Sequence, residues 1–365
     1  MKKSIKITIS IIISIFALIL VFSLITYVNH NIKTSKEIKI LKENGLYNHV
    51  SVGEYSLNVS KFGNENGKHT IVAMAGLGMA DCSVSMRKMT KHFEDDNLIV
   101  FVDRAGYGLS EDTKNEMTLE YIVEDYRKAL KNDGIEGPYI LMPHSIGGAY
   151  ATYWCSKYPD EIEAVVFVDG TVLSTTAFNE EADEYKSTWF DNVLASMAKI
   201  GFSRYALRNY FYKYPDNYTK EEQYLGDALS IMALDSVATI SECDYIVENA
   251  QKAFNTIVTN NVPKLYICST SGYQTKDEFI EYVKWTNRQI EINNLGQPMN
   301  ENISDENINK FLKQCDDYRE SDVMPYLNKL GNCELVLLGG DHMIYEQKPN
   351  ECGIIIKDFI DKLNN

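Results

Sequence analysis

Six short apolar runs constrain this chain more than any other feature: Thr70–Ala75, Leu98–Val102, Tyr139–Met142, Ala164–Val168, Lys264–Cys268 and Glu334–Leu338. Unbroken runs of this kind fit strands covered on both faces, because a strand with one wet face alternates apolar and polar residues. Helical periodicity fills the intervals at Val84–Phe93, Leu119–Asn132, Ile146–Lys157 and, after the last run, Asn350–Leu363. This alternation predicts an α/β chain with a mostly parallel sheet, right-handed crossovers and helices on both faces. Ligands then belong at the carboxyl ends of the strands. Upstream, Tyr55, Leu57 and Val59 alternate with polar residues, and with His49–Val52 they predict a hairpin across Gly53.

One segment breaks the rhythm. From 174 to 261 no parallel-strand signal occurs, the pattern is helical, and aromatics crowd it: Tyr185, Trp189, Phe190, Phe202, Tyr205, Tyr210, Phe211, Tyr212, Tyr214, Tyr218, Tyr224 and Tyr245. It is too long for an ordinary crossover. The expectation is a helical cap over 174–261, set between core segments 49–173 and 262–365. Its aromatics serve to pack the cap or to line a pocket.

The N-terminus has a different solvent in view. Ile7–Val28 runs for 22 residues without a charge, about 33 Å as a helix, against a hydrocarbon core of about 30 Å. A cleaved signal has a shorter apolar region and a small-residue cleavage site. Here the run ends in Thr26-Tyr27-Val28-Asn29-His30. Residues 1–30 therefore read as an uncleaved, single-pass membrane anchor, followed by a polar, partly helical linker over 31–48. Lys2, Lys3 and Lys6 precede the span and Lys33, Lys36 and Lys39 follow it, so the charge bias is nearly balanced. The short N-terminal flank favours a main domain outside the cytoplasm.

Charge and composition remove several classes. Residues 41–365 carry 30 basic and 50 acidic side chains, a net −20. A domain this acidic repels phosphate backbones, so no nucleic-acid partner is expected. No two of the seven cysteines form C-x-x-C, none of the six histidines forms H-E-x-x-H, and no G-x-x-x-x-G-K-[ST] occurs. Those absences give no support to a zinc ribbon, a zincin-type metal site or a nucleotide-binding P-loop. The cysteines read as small buried apolar side chains.

The chemistry concentrates at one serine. The strand Tyr139–Met142 runs into Pro143-His144-Ser145-Ile146-Gly147-Gly148, and a helix follows. A serine on a sharp strand-to-helix turn is lifted clear of the sheet, as a nucleophile elbow requires. The small Gly147 lets the helix approach, and the Ile146 N–H at the helix start points where negative charge would develop.

With these residues the chain resembles the α/β-hydrolase superfamily over about residues 50–365, the cap excepted. The elbow is similar to that family's G-H-S-x-G-G, with Pro143 where the first Gly stands. Ala75-Gly76-Leu77-Gly78 resembles its H-G-x-G oxyanion loop, with Ala75 in the His position. The resemblance implies Leu77 and Ile146 N–H groups as the oxyanion hole. Asp103-Arg104-Ala105-Gly106-Tyr107-Gly108-Leu109-Ser110 is similar to a structural D-R-x-G-x-G-x-S segment, in which Asp103 and Arg104 brace loops. Tyr158-Pro159-Asp160 before the next strand also matches. Gly339-Gly340-Asp341-His342, after the last strand, looks like the loop carrying the family's base, His342.

The acid has two candidates. Most relatives place it after the strand that follows the cap, where this chain reads Ser271-Gly272-Tyr273 and offers no carboxylate before Asp277. Asp277 and Glu278 also look like a helix first turn with Thr275 as its cap. Other relatives place the acid at the end of the preceding strand, here Asp169. The implied activity is a serine hydrolase, a carboxylic-ester hydrolase first, with Ser145, His342 and Asp169 (alternatively Asp277) as a triad. Its partners would be a small-molecule ester or amide and the membrane, with no cofactor and no metal. A peptidase or amidase of the same fold, proline-iminopeptidase-like, and a catalytically silent binding module are the alternatives.

Overall fold

A computed structural model describes residues 2–174, 187–206, 212–233 and 236–363. The strands are β1 (His49–Ser51), β2 (Ser56–Gly63), β3 (Thr70–Met74), β4 (Leu98–Val102), β5 (Tyr139–Ser145), β6 (Ile162–Gly170), β7 (Lys264–Cys268) and β8 (Cys333–Leu337). They form one sheet in the order β1-β2-β4-β3-β5-β6-β7-β8. β3 through β8 pair in parallel, while β1 and β2 form the antiparallel hairpin at one edge. The apolar runs thus become six parallel strands of an α/β-hydrolase fold.

Both faces of the central strands are covered, which is why their sequences do not alternate. Val72, Val100, Leu141 and Val165 meet the helices Leu119–Asn132 and Gly147–Lys157 on one side. Ile71, Ile99, Ile140 and Val166 meet Met89, Ile356 and Ile360 on the other, the last two from the helix Pro349–Leu363. Each side chain of this size removed from water contributes roughly 1.5–3 kcal/mol before chain entropy is counted.

Two long insertions decorate the carboxyl half of the sheet. Between β6 and β7 lie the helices Trp189–Lys199, Phe202–Ala206, Lys220–Ala233 and Val237–Asn255. Of the aromatics expected there, Tyr185, Tyr210 and Phe211 fall outside the described residues. Tyr214 is buried, with Tyr212 and Tyr218 against its ring at 6.0 and 4.6 Å between centroids. Between β7 and β8 the helix Lys276–Asn293 is followed by Asp305–Tyr318, which continues through a π-type turn into Met324–Leu330. These helices bury a small core of their own around Tyr273, Phe279, Val283 and Ile308.

The N-terminal helix runs unbroken from Lys2 to Glu43 and is long and apolar enough to cross a membrane. Its far end is not a free tether. Thr26, Glu37 and Leu41 lie on one face and are buried against the domain. Arg204 clamps Glu37 with two bonds of 2.6 and 2.7 Å, and Gly201 sits so close to His30 that a Cβ there would stand 2.4 Å from the His30 Cβ. All seven cysteines are free, and five of them are buried.

Candidate active site

The serine turn is built by backbone strain and by two missing side chains. β5 ends on Ser145 with φ at +51°, a left-handed conformation that costs a residue with a Cβ on the order of 1–2 kcal/mol. The turn redirects the chain at once into the helix Gly147–Lys157. A Cβ on Gly147 would stand 2.7 Å from the Met74 carbonyl, so the helix packs backbone to backbone against β3. A Cβ on Gly76 would stand 3.0 Å from that of Ser145 and 2.9 Å from His144 Nδ1. The loop after β3 therefore lies directly against the serine. Pro143 is accommodated in β5, paired in register with Met74.

That loop is held by a buried cation. Arg104 donates to the carbonyls of Ala75 at 2.7 Å and Gly76 at 2.8 Å. With both carbonyls committed to the guanidinium, the following N–H of Leu77 is left without an acceptor among the described residues, as is that of Ile146. Arg104 is in turn paired with Glu242 of the helix Val237–Asn255, through Nε at 3.1 Å and Nη2 at 3.0 Å. Tyr150 donates to the same carboxylate at 2.6 Å. Arg104 and Glu242 are both almost wholly buried. The neighbouring Asp103 accepts from Leu109 N and Asn58 Nδ2, and burial pushes it up to about 7.

Across the sheet end, His342 Nδ1 lies 2.7 Å from Asp169 Oδ2. Asp169, one residue before the end of β6, has φ at +44° and a buried carboxylate. Its Oδ1 accepts from the N–H groups of Ser269 and Thr270 at 2.8 and 3.2 Å, and Thr270 Oγ1 lies 3.2 Å from Oδ2. Burial alone would raise this carboxyl, but the His342 bond and charge and the Ser269 N–H outweigh it and hold Asp169 below the usual carboxylate value. For His342 burial works downward, and the Asp169 bond and charge overcome it, so its pKa is raised.

Of the carboxylates considered from the sequence, Asp169 meets the imidazole. Asp277 lies in the exposed first turn of Lys276–Asn293, where Thr275 and Glu278 form a capping box. Ser145 adjoins His144, whose ring centroid is 4.5 Å from that of His342. Among the described residues the Ser145 hydroxyl has no hydrogen-bond partner. Such bonds often tighten only when substrate fills the site. Three contributors escaped the sequence reading: Glu242, His144 as a contact of the His342 backbone, and Ser269–Thr270 as donors to Asp169. Only His144 carried a signal, by adjoining the serine.

A strand order of this kind, with a serine elbow after the fifth strand and a histidine loop after the eighth, defines an α/β hydrolase fold. The chain belongs to that family: the alpha/beta hydrolase fold family matches residues 75–271. The uncharacterized protein YbdG of Bacillus subtilis (strain 168) is 31% identical over 286 residues, which cover 76% of this chain and 85% of that one. A candidate hydrolytic enzyme of Pseudomonas aeruginosa PAO1 superposes with a TM-score of 0.54 at 14% identity, over 86% of this chain and 93% of its own. A candidate lipase of Acinetobacter baumannii AYE gives 0.51 at 16% identity, over 92% and 96%. At these identities the solved structures speak for the fold alone.

Proposed function

We propose that the protein is a membrane-anchored serine hydrolase that cleaves a carboxylic ester through an acyl-enzyme. Ser145 Oγ attacks the ester carbonyl while His342 Nε2 takes its proton. Asp169 keeps the Nδ1 proton in place and stabilises the imidazolium that forms. The tetrahedral oxyanion sits between the Leu77 and Ile146 N–H groups, donors fixed before the reaction begins. Collapse expels the alcohol, which leaves with the proton from His342. Water, activated by the same imidazole, then releases the acid and restores Ser145.

One observation carries this reading: a serine strained into the left-handed region beside two uncommitted N–H groups, next to a histidine whose ring contacts the loop in which a buried carboxylate aligns the His342 imidazole. Residues 174–261 act as a cap over the site, and the N-terminal helix fixes the domain to a bilayer, with the domain outside the cytoplasm. The ester reading is tested with p-nitrophenyl esters of graded acyl length against aminoacyl p-nitroanilides. Turnover of the esters with little turnover of the anilides is expected. Preference for the anilides would make the protein an amidase, and turnover of neither would favour a silent binding module.

A further inference from the structure

Where the N-terminal helix leaves its apolar stretch, it forms one wall of a cavity of about 750 Å³. The cavity draws Lys33 and Lys36 from that helix, Lys213, Arg204 and Tyr224 from the β6–β7 insertion, and Asn294 from the end of Lys276–Asn293. The acidic domain turns locally basic here. Arg204 is spent on Glu37, but Lys33, Lys36 and Lys213 form no ion pair among the described residues, and Asp227 is the one other carboxylate on the wall.

The cavity's position is set by helix geometry. Lys33 stands five residues beyond Val28, about 7.5 Å at helical rise, and Lys36 about 12 Å. The headgroup layer outside the hydrocarbon is about 5–7 Å thick on each side. The Lys33 backbone therefore stands at the outer edge of the headgroup layer and the Lys36 backbone about 5 Å beyond it, from where long flexible side chains reach back toward lipid phosphates. Lys33 Nζ lies 5.5 Å from the Tyr205 ring centre. The Lys213 backbone is pinned to Asn293 by bonds of 2.6 and 3.2 Å, which fixes the far rim. Ala228 and Ile231 supply an apolar wall, and tyrosines such as Tyr205 and Tyr224 suit the wet edge of a bilayer.

We infer that this cavity binds the phosphate of an anionic lipid headgroup, so that the lipid bridges the N-terminal helix and the insertion over the active site. The inference rests on the membrane-anchored part of the function proposed above. Each lysine near such a surface contributes a roughly fivefold gain in affinity at low salt.

The full chain in neutral maltoside micelles is titrated calorimetrically with dihexanoyl phosphatidylglycerol, dihexanoyl phosphatidylcholine and glycerol 3-phosphate. The expected result is phosphatidylglycerol binding about tenfold or more tighter than phosphatidylcholine, with the preference lost in Lys33→Gln/Lys36→Gln/Lys213→Gln. No preference, or a preference that survives in the triple variant, would overturn the inference. So would glycerol 3-phosphate binding as tightly as the lipid, which would assign the site to a soluble anion. If the triple variant loses its helical circular dichroism, the single Lys36→Gln change on the exposed helix face must cut the preference about fivefold. Carbonate extraction of membranes tests the anchor separately: release of the chain would sink the anchor reading while leaving the micelle titration readable.

Discussion

His144 Nε2 donates a hydrogen bond of 3.0 Å to the carbonyl oxygen of His342. The residue before the elbow serine thus grips the backbone of the imidazole proposed to act on that serine. Burial first, and the His342 charge second, hold the His144 imidazole down to about 3, so it is neutral at physiological pH. With its proton on Nε2, Nδ1 is bare, and it is buried without a partner beside Gly76. The elbow and the histidine loop are therefore joined before any substrate arrives.

His144→Phe keeps the ring volume and removes the donor, which leaves a carbonyl unpaired at a cost of about 1–3 kcal/mol. We expect kcat on the best ester to fall about tenfold with little change in KM, because the substitution displaces the base and not the groups that would bind the substrate. Steady-state kinetics check this, and an unchanged kcat would remove His144 from any positioning role.

The pH profile follows from the His342–Asp169 pair. A general base must be neutral, and Asp169 raises the His342 pKa, so kcat/KM should rise with pH through a midpoint above the ordinary imidazole value of about 6.5. In Asp169→Asn burial is opposed only by the weaker Asp341 charge, and the midpoint of any residual activity should move to lower pH. The stability contributed by the pair has the opposite sense for the imidazole: it is fully present below its unfolded value and lost as pH rises through the raised one. A wild-type midpoint at or below 6.5 would contradict this account.

Asp169→Asn should lower kcat by at least tenfold and up to on the order of 10⁴, since the amide presents the wrong partner to Nδ1. Asp277→Asn, exposed in a helix first turn, should leave kcat within about twofold and shift stability by no more than about 0.5 kcal/mol. The two variants assayed side by side decide the acid.

Arg104 holds the loop after β3, the proposed oxyanion loop, and Glu242 holds Arg104. Glu242→Ala leaves a guanidinium buried without its counter-charge, which should cost about 3–5 kcal/mol and show as a large fall in the thermal midpoint. Arg104→Lys keeps the charge but cannot reach both carbonyls as a fork. It should lower kcat about tenfold to a hundredfold through the Leu77 donor, with a smaller loss of stability.

The strands were legible because burial on both faces leaves no room for polar alternation: β3 and β4 are written as Thr70–Met74 and Leu98–Val102 almost to the residue. The serine turn, the loop after β3 and the loop bearing His342 were legible because turn chemistry is local. The choice between Asp169 and Asp277 was not, since chain order admits both. What separates them is a left-handed φ at Asp169 and a strand end beside the His342 loop, neither of which leaves a local mark. The Arg104–Glu242 link joins residues 138 positions apart, and a glutamate on a helical insertion looks like any solvated charge until the packing is seen. The helix Lys2–Glu43 reads as anchor and linker in sequence, because burial of Glu37 and Leu41 depends on Arg204 and its neighbours arriving from far along the chain.

The most direct test of the central claim is the intact mass of the full chain after reaction with a fluorophosphonate. One phosphonyl adduct, mapped to Ser145 and lost in Ser145→Ala, is the expected result, with labelling slowed in His342→Ala. Wild-type protein that stays unlabelled while folded, or an adduct that persists in Ser145→Ala, would contradict the account.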